Sequence, residues 1–261
     1  MARKQMADKV RRAAKRVPGF ARVVRIARPL VNTESLPELD ASLDRVLSPL
    51  DQITLVQIGS NDGLHGDPFH DLIASHPQWR VLFVEPVPEP LHRLRATWGD
   101  GARFMYADVA VSSRAGSQQM TYLSEEVKAL GQWIPDWVDQ LASFTPGHVE
   151  RHLPAIAAMN PQTMEPSELE PYIRTLTVRS VTVDQLLDEH AVVSVDVLHI
   201  DTEGHDWVIL QQVDLARVTP SVILYEHKHL SEEDRLAAQD FLTSRYEITQ
   251  LSQGDTLCLR R

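Results

Sequence analysis

From Ile53 onward the chain alternates short, β-branched apolar runs with stretches in which apolar residues return at helical spacing. Runs at 53–58, 80–84, 103–106, 195–200 and 221–225 read as buried strands. Helical patterns fall at about 68–76, 88–98, 182–190, 205–214 and 231–244, the last opened by Ser231 as N-cap with Asp234 three residues on. Such alternation predicts an α/β domain whose mostly parallel sheet is joined by crossover helices. The final runs, 246–251 and 256–259, flank Gln253, Gly254 and Asp255, so an antiparallel hairpin should close the sheet.

The pattern changes between 124 and 174. Trp133, Trp137, Leu141 and Phe144 keep roughly helical spacing, while Pro135, Pro146, Pro154, Pro161, Pro166 and Pro171 cut the segment into short helices. A stretch of this length with its own apolar pattern is more than a connecting loop. It reads as a helical cap over one end of the sheet, or as a helical subdomain that only packs or dimerises. The chain thus divides into an N-terminal arm over 1–45, the sheet domain over 46–123 and 175–261, and the cap insertion over 124–174.

Charge separates the arm from the rest. The net charge is −10, yet residues 1–30 hold ten Lys and Arg against Asp8 alone, leaving 16 bases and 35 acids elsewhere. An acidic body repels polyphosphate, so nucleic acid is an unsuitable partner. In the arm, Val10, Val17, Phe20, Val24 and Leu30 are interleaved with bases. It reads as a solvated helix packing on the acidic body or on the second subunit of a homodimer, or as a partly disordered segment broken at Pro18-Gly19, with a helix lying on an anionic membrane as the alternative. Cys258 is the single cysteine, which excludes an intramolecular disulfide and a zinc finger. With no apolar run of spanning length and no signal-peptide pattern, the expected location is cytoplasmic.

The candidate chemistry lies at strand ends. Leu55 to Ile58 runs into Gly59, Ser60, Asn61, Asp62 and Gly63, where glycine permits a sharp turn and a close backbone approach to a ligand. Gln57 precedes this turn. Glu85 and Pro86 end the next strand, 26 residues beyond Gly59, where a carboxylate can accept both hydrogen bonds of a ribose diol. Asp108, followed by Val109, ends the third strand and is placed for an adenine amino group. A dinucleotide fold expects a second glycine where Asn61 stands, and Asp62 adds negative charge where a pyrophosphate would sit. This disfavours NAD, FAD and ATP and suits S-adenosyl-methionine, which carries positive charge and no phosphate.

The fourth strand ends in Asp201, Thr202, Glu203, Gly204, His205 and Asp206, and the fifth leads into Glu226, His227 and His229. Taken in order, Gln57 to Gly63, Val84-Glu85-Pro86, Thr182 to Leu187, Ile200 to Gly204 and Leu224 to His227 resemble the successive blocks of the FkbM-type S-adenosyl-methionine-dependent methyltransferases. The resemblance covers about 53–111 and 175–259 and leaves the arm and cap unexplained. It implies a class I methyltransferase (Rossmann-like) fold with a seven-stranded sheet, and methyl transfer, usually to an oxygen, on a secondary metabolite or sugar. By the same resemblance Gly59 and Gly63 line the methionine part, Glu85 the ribose, Asp108 and Val109 the adenine, and Asp201 the reacting methyl.

A hydroxyl acceptor ionises far above neutral pH, so its attack needs a base or a Lewis acid. Asp201, Glu203, His205, Glu226, His227 and His229 are the candidates, with His227, His205 and Asp201 foremost. Asp201, Glu226 and His227 could instead hold a divalent ion such as Mg²⁺ or Mn²⁺. Small-molecule O-methylation is therefore the expected activity. N-methylation with the same cofactor, or a non-catalytic adenosine-binding scaffold, are the alternatives.

Overall fold

The computed structural model of the chain describes Leu43, Val46, Leu47, Leu50 and residues 52–251 and 254–261. Apart from Leu43, the basic arm lies outside the described residues, as does Gln253 of the expected turn. In chain order the elements are β1 (Thr54–Ile58), α1 (His70–Ser75), β2 (Arg80–Val84), α2 (Pro88–Trp98), β3 (Phe104–Ala107), β4 (Ala110–Val111), β5 (Gly116–Leu123), α3 (His148–Ala157), β6 (Ile173–Val181), α4 (Val183–Glu189), β7 (Val197–Ile200), α5 (Asp206–Leu210), β8 (Val222–Glu226), α6 (Glu232–Thr243), β9 (Tyr246–Gln250) and β10 (Asp255–Arg260). Short 3₁₀ turns at Glu125–Leu130, Asp136–Gln140, Pro166–Glu168 and Glu170–Tyr172 join α3 between β5 and β6.

Seven strands form one sheet in the order β3-β2-β1-β7-β8-β10-β9. The first five are parallel, and β10 runs antiparallel to both β8 and β9, the expected closing hairpin. Each central strand alternates between two apolar layers because successive side chains point to opposite faces. Val56, Ile58, Leu82, Val84, Leu198, Ile200 and Ile223 pack with α4, α5 and α6, whereas Leu55, Val81, Phe83, Val197, Val222 and Leu224 pack with α1, α2 and Leu43 and Leu47. Both faces are thus covered. Ser231 caps α6 by accepting the Asp234 amide at 3.1 Å. Among the described residues no helix is long and apolar enough to cross a membrane.

From β1 the chain steps outward to β2 and β3, then returns past β1 to lay down β7 and β8 on its other side. The reversal opens a crevice at the carboxyl ends of β1 and β7, where such sheets bind ligands.

A second sheet, unforeseen from the sequence, has the order β4-β6-β5. In it β5 and β6 pair antiparallel from Gly116↔Ser180 to Leu123↔Ile173, so the insertion hangs from a two-stranded stem. The segment beyond has its own apolar core, with Val127, Trp137, Val138, Leu141, Val149, Leu153 and Ile156 all buried.

Candidate active site

The turn after β1 is knitted to its neighbours by backbone hydrogen bonds. Gly59 and Ser60 donate to the Val84 carbonyl at 3.0 and 3.1 Å, and Asp201 donates to the Ile58 carbonyl at 3.0 Å. Gly59 has φ +82°, and a Cβ built there would stand 1.9 Å from the Asp201 carbonyl oxygen. Glycine is required at this junction of β1 and β7. Asp62 turns back into its own loop, accepting the Leu64 and His65 amides at 3.0 and 2.9 Å and pairing with His65 Nδ1 at 2.6 Å. Burial opposes ionisation of Asp62, but its bonds to the His65 ring and to these amides prevail and lower its pKa.

Glu85 is buried at the end of β2, where Oε1 accepts the Val87 amide at 2.8 Å and Oε2 accepts the Asn61 amide at 3.0 Å. Burial pushes its carboxyl up to about 7 against these bonds. Each oxygen keeps a free lone pair. The carboxylate is thereby held rigidly by two strand ends.

These turns enclose a cavity of about 860 Å³, its open mouth included. Of the expected cofactor and catalytic residues, Gln57, Gly59, Asn61, Glu85, Pro86, Val109, Asp201 and His205 line it. Asp62, Gly63, Asp108, Glu226 and His227 are not among the lining residues. Asp108 is exposed at the end of β3, and the wall beyond it is built by Val109, Ala110 and Val111. Asp67, which the sequence reading overlooked, lines the cavity beside Gln57. Burial pushes Asp67 up to about 6, against hydrogen bonds from the Phe69 amide and the Gln57 side chain. Gln57 Oε1 and Asp67 Oδ2 are buried acceptors without a hydrogen-bond partner.

The turn between β7 and α5 strains the backbone at Glu203, held left-handed at φ +52°, while the φ of +99° beside it falls on Gly204, which adopts it freely. Asp206, fully buried at the start of α5, fastens it by accepting the Thr202 hydroxyl at 3.2 Å and the Gly204 amide at 3.3 Å. This arrangement presents Asp201, Thr202, Glu203 and His205 to the cavity. His205 Nε2 lies 3.2 Å from Ser112 Oγ, with the Phe144 ring 5.3 Å away. Burial lowers the His205 pKa and keeps the imidazole neutral at physiological pH.

His227 is turned elsewhere: Nδ1 meets Thr256 Oγ1 of β10 at 2.9 Å. The expected ion-binding set of Asp201, Glu226 and His227 therefore does not converge. Glu226 instead meets Glu203 and His229. His229 Nε2 is 2.8 Å from Glu203 Oε2 and 3.8 Å from Glu226 Oε2. Burial would raise Glu203, but the imidazoles of His148 and His229 hold it well below the usual carboxylate range. Glu226, 1% exposed, is raised well above that range by burial and by the Asp201 and Glu203 charges. His148 and His152 reach this cluster from α3, and their one-turn spacing was the overlooked signal.

Asp139, Gln140, Ala142 and Phe144 of the insertion complete the cavity wall. Arg93 of α2 holds this region, reaching Asp139 at 2.7 Å and Asp62 at 3.9 Å and pairing with Glu125. Lys128 adds a 2.8 Å contact to the same Asp139 carboxylate.

Comparison with known proteins places these features in context. The family described as Methyltransferase FkbM domain matches residues 57–251. Among solved structures, a putative caffeoyl-CoA O-methyltransferase from Staphylococcus aureus is 8% identical, with 99% of this chain and 98% of that chain covered and a TM-score of 0.44. The N-methyltransferase NodS from Bradyrhizobium japonicum WM9, in complex with S-adenosyl-L-homocysteine, is 11% identical, with 92% and 95% covered and a TM-score of 0.37. A precorrin-6y C5,15-methyltransferase from Geobacter metallireducens GS-15 is 13% identical, with 89% of each chain covered and a TM-score of 0.38. No curated protein sequence matches the chain.

Proposed function

The chain belongs to the FkbM methyltransferase family and is an S-adenosyl-methionine-dependent methyltransferase; from that premise we propose that it methylates a hydroxyl oxygen of a small molecule. The observation that carries the oxygen reading is His205, a neutral imidazole in the wall of the cavity on the same turn as Asp201. An alcohol must lose its proton as the new bond forms, whereas a neutral amine attacks without that help.

The residues present fit the cofactor. The Glu85 carboxylate is held open for two ribose hydroxyls, and the unpartnered Gln57 Oε1 and Asp67 Oδ2 offer acceptors to an ammonium group. Asp201 adds a carboxylate to the same wall, which favours a cationic ligand over a phosphate. When bound, S-adenosyl-methionine supplies an electrophilic methyl group on a sulfonium. Transfer to the acceptor oxygen would form the oxygen–carbon bond as the carbon–sulfur bond breaks, with the electron pair of that bond left on sulfur. We assign His205 the tautomer that donates Nε2–H to Ser112 Oγ, 3.2 Å away, which leaves the lone pair on Nδ1 to take the hydroxyl proton. Phe144 and the neighbouring residues of the insertion close the wall and exclude competing water.

The test is release of S-adenosyl-homocysteine with a panel of sugar and secondary-metabolite alcohols. His205→Ala should lower kcat by about 10²–10⁴-fold, the usual size of a general-base contribution. Cofactor affinity should stay unchanged. Undiminished turnover in this variant, or transfer to amines alone, would overturn the oxygen reading.

A further inference from the structure

Beside the cavity, side chains from three parts of the fold meet in a buried cluster. Glu203 comes from the strained turn after β7, Glu226 and His229 from the end of β8 and the turn beyond it, and His148 from α3 in the insertion. The facing atoms are all of metal-ligand type. One such atom from each of Glu203, Glu226 and His229 lies within 4.8 Å of the others, and His148 Nε2 stands 3.5 Å from Glu203 Oε2. Two ligands about 2.1 Å from one ion are about 3 Å apart when adjacent in an octahedron and about 4.2 Å apart when opposite. The cluster needs only small side-chain adjustments to reach those separations.

Pairing within the cluster leaves it unsatisfied. His229 Nε2 and Glu203 Oε2 form a 2.8 Å ion pair, yet Glu226 Oε2, 3.8 Å from that imidazole nitrogen, is buried without a hydrogen-bond partner, and His148 Nε2 stands no closer than 3.5 Å to Glu203. Glu226 and His148 are only 1% and 3% exposed, so water cannot readily serve them. Lys228 Nζ sits 3.0 Å from Glu226 Oε1, the other carboxylate oxygen, as an outer partner that fixes the group and leaves Oε2 facing inward.

We propose that Glu203, Glu226 and His229, joined by His148, bind one divalent transition-metal ion. The mixture of imidazole and carboxylate selects Mn²⁺, Fe²⁺, Co²⁺ or Zn²⁺ over Mg²⁺ and Ca²⁺, which favour oxygen ligands. With a ligand from α3, the ion also ties the insertion to the sheet. Glu203 alone of the four lines the cavity, so it is the ligand through which the ion would meet the space for the acceptor. There the ion would supply Lewis-acid chemistry, acidifying an acceptor hydroxyl that reaches it. That use rests on the oxygen-transfer reading, whereas binding of the ion does not.

The experiment titrates the full chain, stripped with EDTA, with Mn²⁺ and follows loss of the free-ion electron paramagnetic resonance signal. One Mn²⁺ should bind per chain and be displaced by Zn²⁺ but not by equal Mg²⁺. Glu226→Gln and His229→Ala should each weaken Mn²⁺ binding by more than about 100-fold, beyond the 10–100-fold typical of losing an outer partner. Retained S-adenosyl-homocysteine binding reports an intact fold; if either variant fails that control, His148→Ala at the edge of the cluster should still weaken Mn²⁺ binding. No stoichiometric binding to the wild type, or wild-type affinity in the folded variants, overturns the site. A chain that binds Mn²⁺ as described yet methylates only amines supports the site and overturns the oxygen reading. Methylation of alcohols in EDTA with no Mn²⁺ binding does the reverse.

Discussion

At Gly59 two strand ends approach so closely that one added carbon decides whether they fit. The 1.9 Å overlap with the Asp201 carbonyl and the left-handed backbone act together. Gly59→Ala should destabilise the protein by about 2–5 kcal/mol, read as a large fall in Tm by calorimetry; an unchanged Tm would mean that β1 and β7 can part at no cost. Glu85 presents the opposite case, with its backbone partners already in place. Glu85→Ala should cost about 2–4 kcal/mol in cofactor affinity, because charge-assisted hydrogen bonds are lost and ribose hydroxyls are left unpaired. Calorimetric titration with S-adenosyl-homocysteine checks this, and wild-type affinity would dismiss Glu85 as the ribose residue. His227→Ala, at a ring occupied with Thr256, should leave kcat within about threefold, well short of a general-base effect. Gly59 and Glu85 were legible in the sequence because their places at strand ends follow from a period of two and a turn. The orientation of His227 was not legible, since adjacent residues leaving a strand diverge and only β10, far along the chain, decides which one faces the site.

The same contrast holds for elements. Strands β1, β2, β7 and β8 are covered on both faces, so their residues form apolar runs that stand out from the surrounding chain. The stem of β5 and β6 buries only Met120 and Leu123 on one strand and Val178, Ser180 and Val181 on the other, and Ser, Gln, Thr and Arg interrupt its apolar positions. Without an apolar run it left no clear trace in the pattern. The insertion it carries is tied to α2 by ion pairs. Arg93 there bridges Asp139, Glu125 and Asp62, and Asp139 is almost buried. Removing a guanidinium from such a network leaves carboxylates unpaired and costs more than an exposed surface pair would. Arg93→Ala should therefore speed amide hydrogen exchange across residues 125–140 and raise KM for the acceptor several-fold, with cofactor affinity changed less. Exchange identical to wild type would show that the apolar core of the insertion alone sets its position.

Across the whole molecule, buried acids and buried imidazoles pull stability in opposite directions as pH changes. Asp67, Glu85, Asp206 and Glu226 are raised chiefly by burial, so the folded state binds more protons than the unfolded chain between their unfolded and folded pKa values. Stability falls as pH rises through that window. His152, His205, His227 and His229 are lowered, also chiefly by burial, and act the other way, but only below their unfolded value near 6.5. Above it the acids act alone. The ligand-free protein should lose stability from about pH 6.5 to 8, with Glu85 alone contributing about 1 kcal/mol given its shift from 4.5 to about 7. Over the same interval cofactor affinity should rise, because ionised Glu85 accepts both ribose hydroxyls, whereas the protonated group accepts only one of them well. Paired measurements of Tm and of S-adenosyl-homocysteine affinity at pH 6.5, 7.2 and 8 test both trends. Glu85→Gln should flatten the rise in affinity and reduce the loss of Tm. If affinity in the wild type is level across this range, Glu85 does not meet the ribose as a carboxylate; if the Gln variant keeps the wild-type slope, another acid in the cavity wall, Asp67 foremost, carries the dependence.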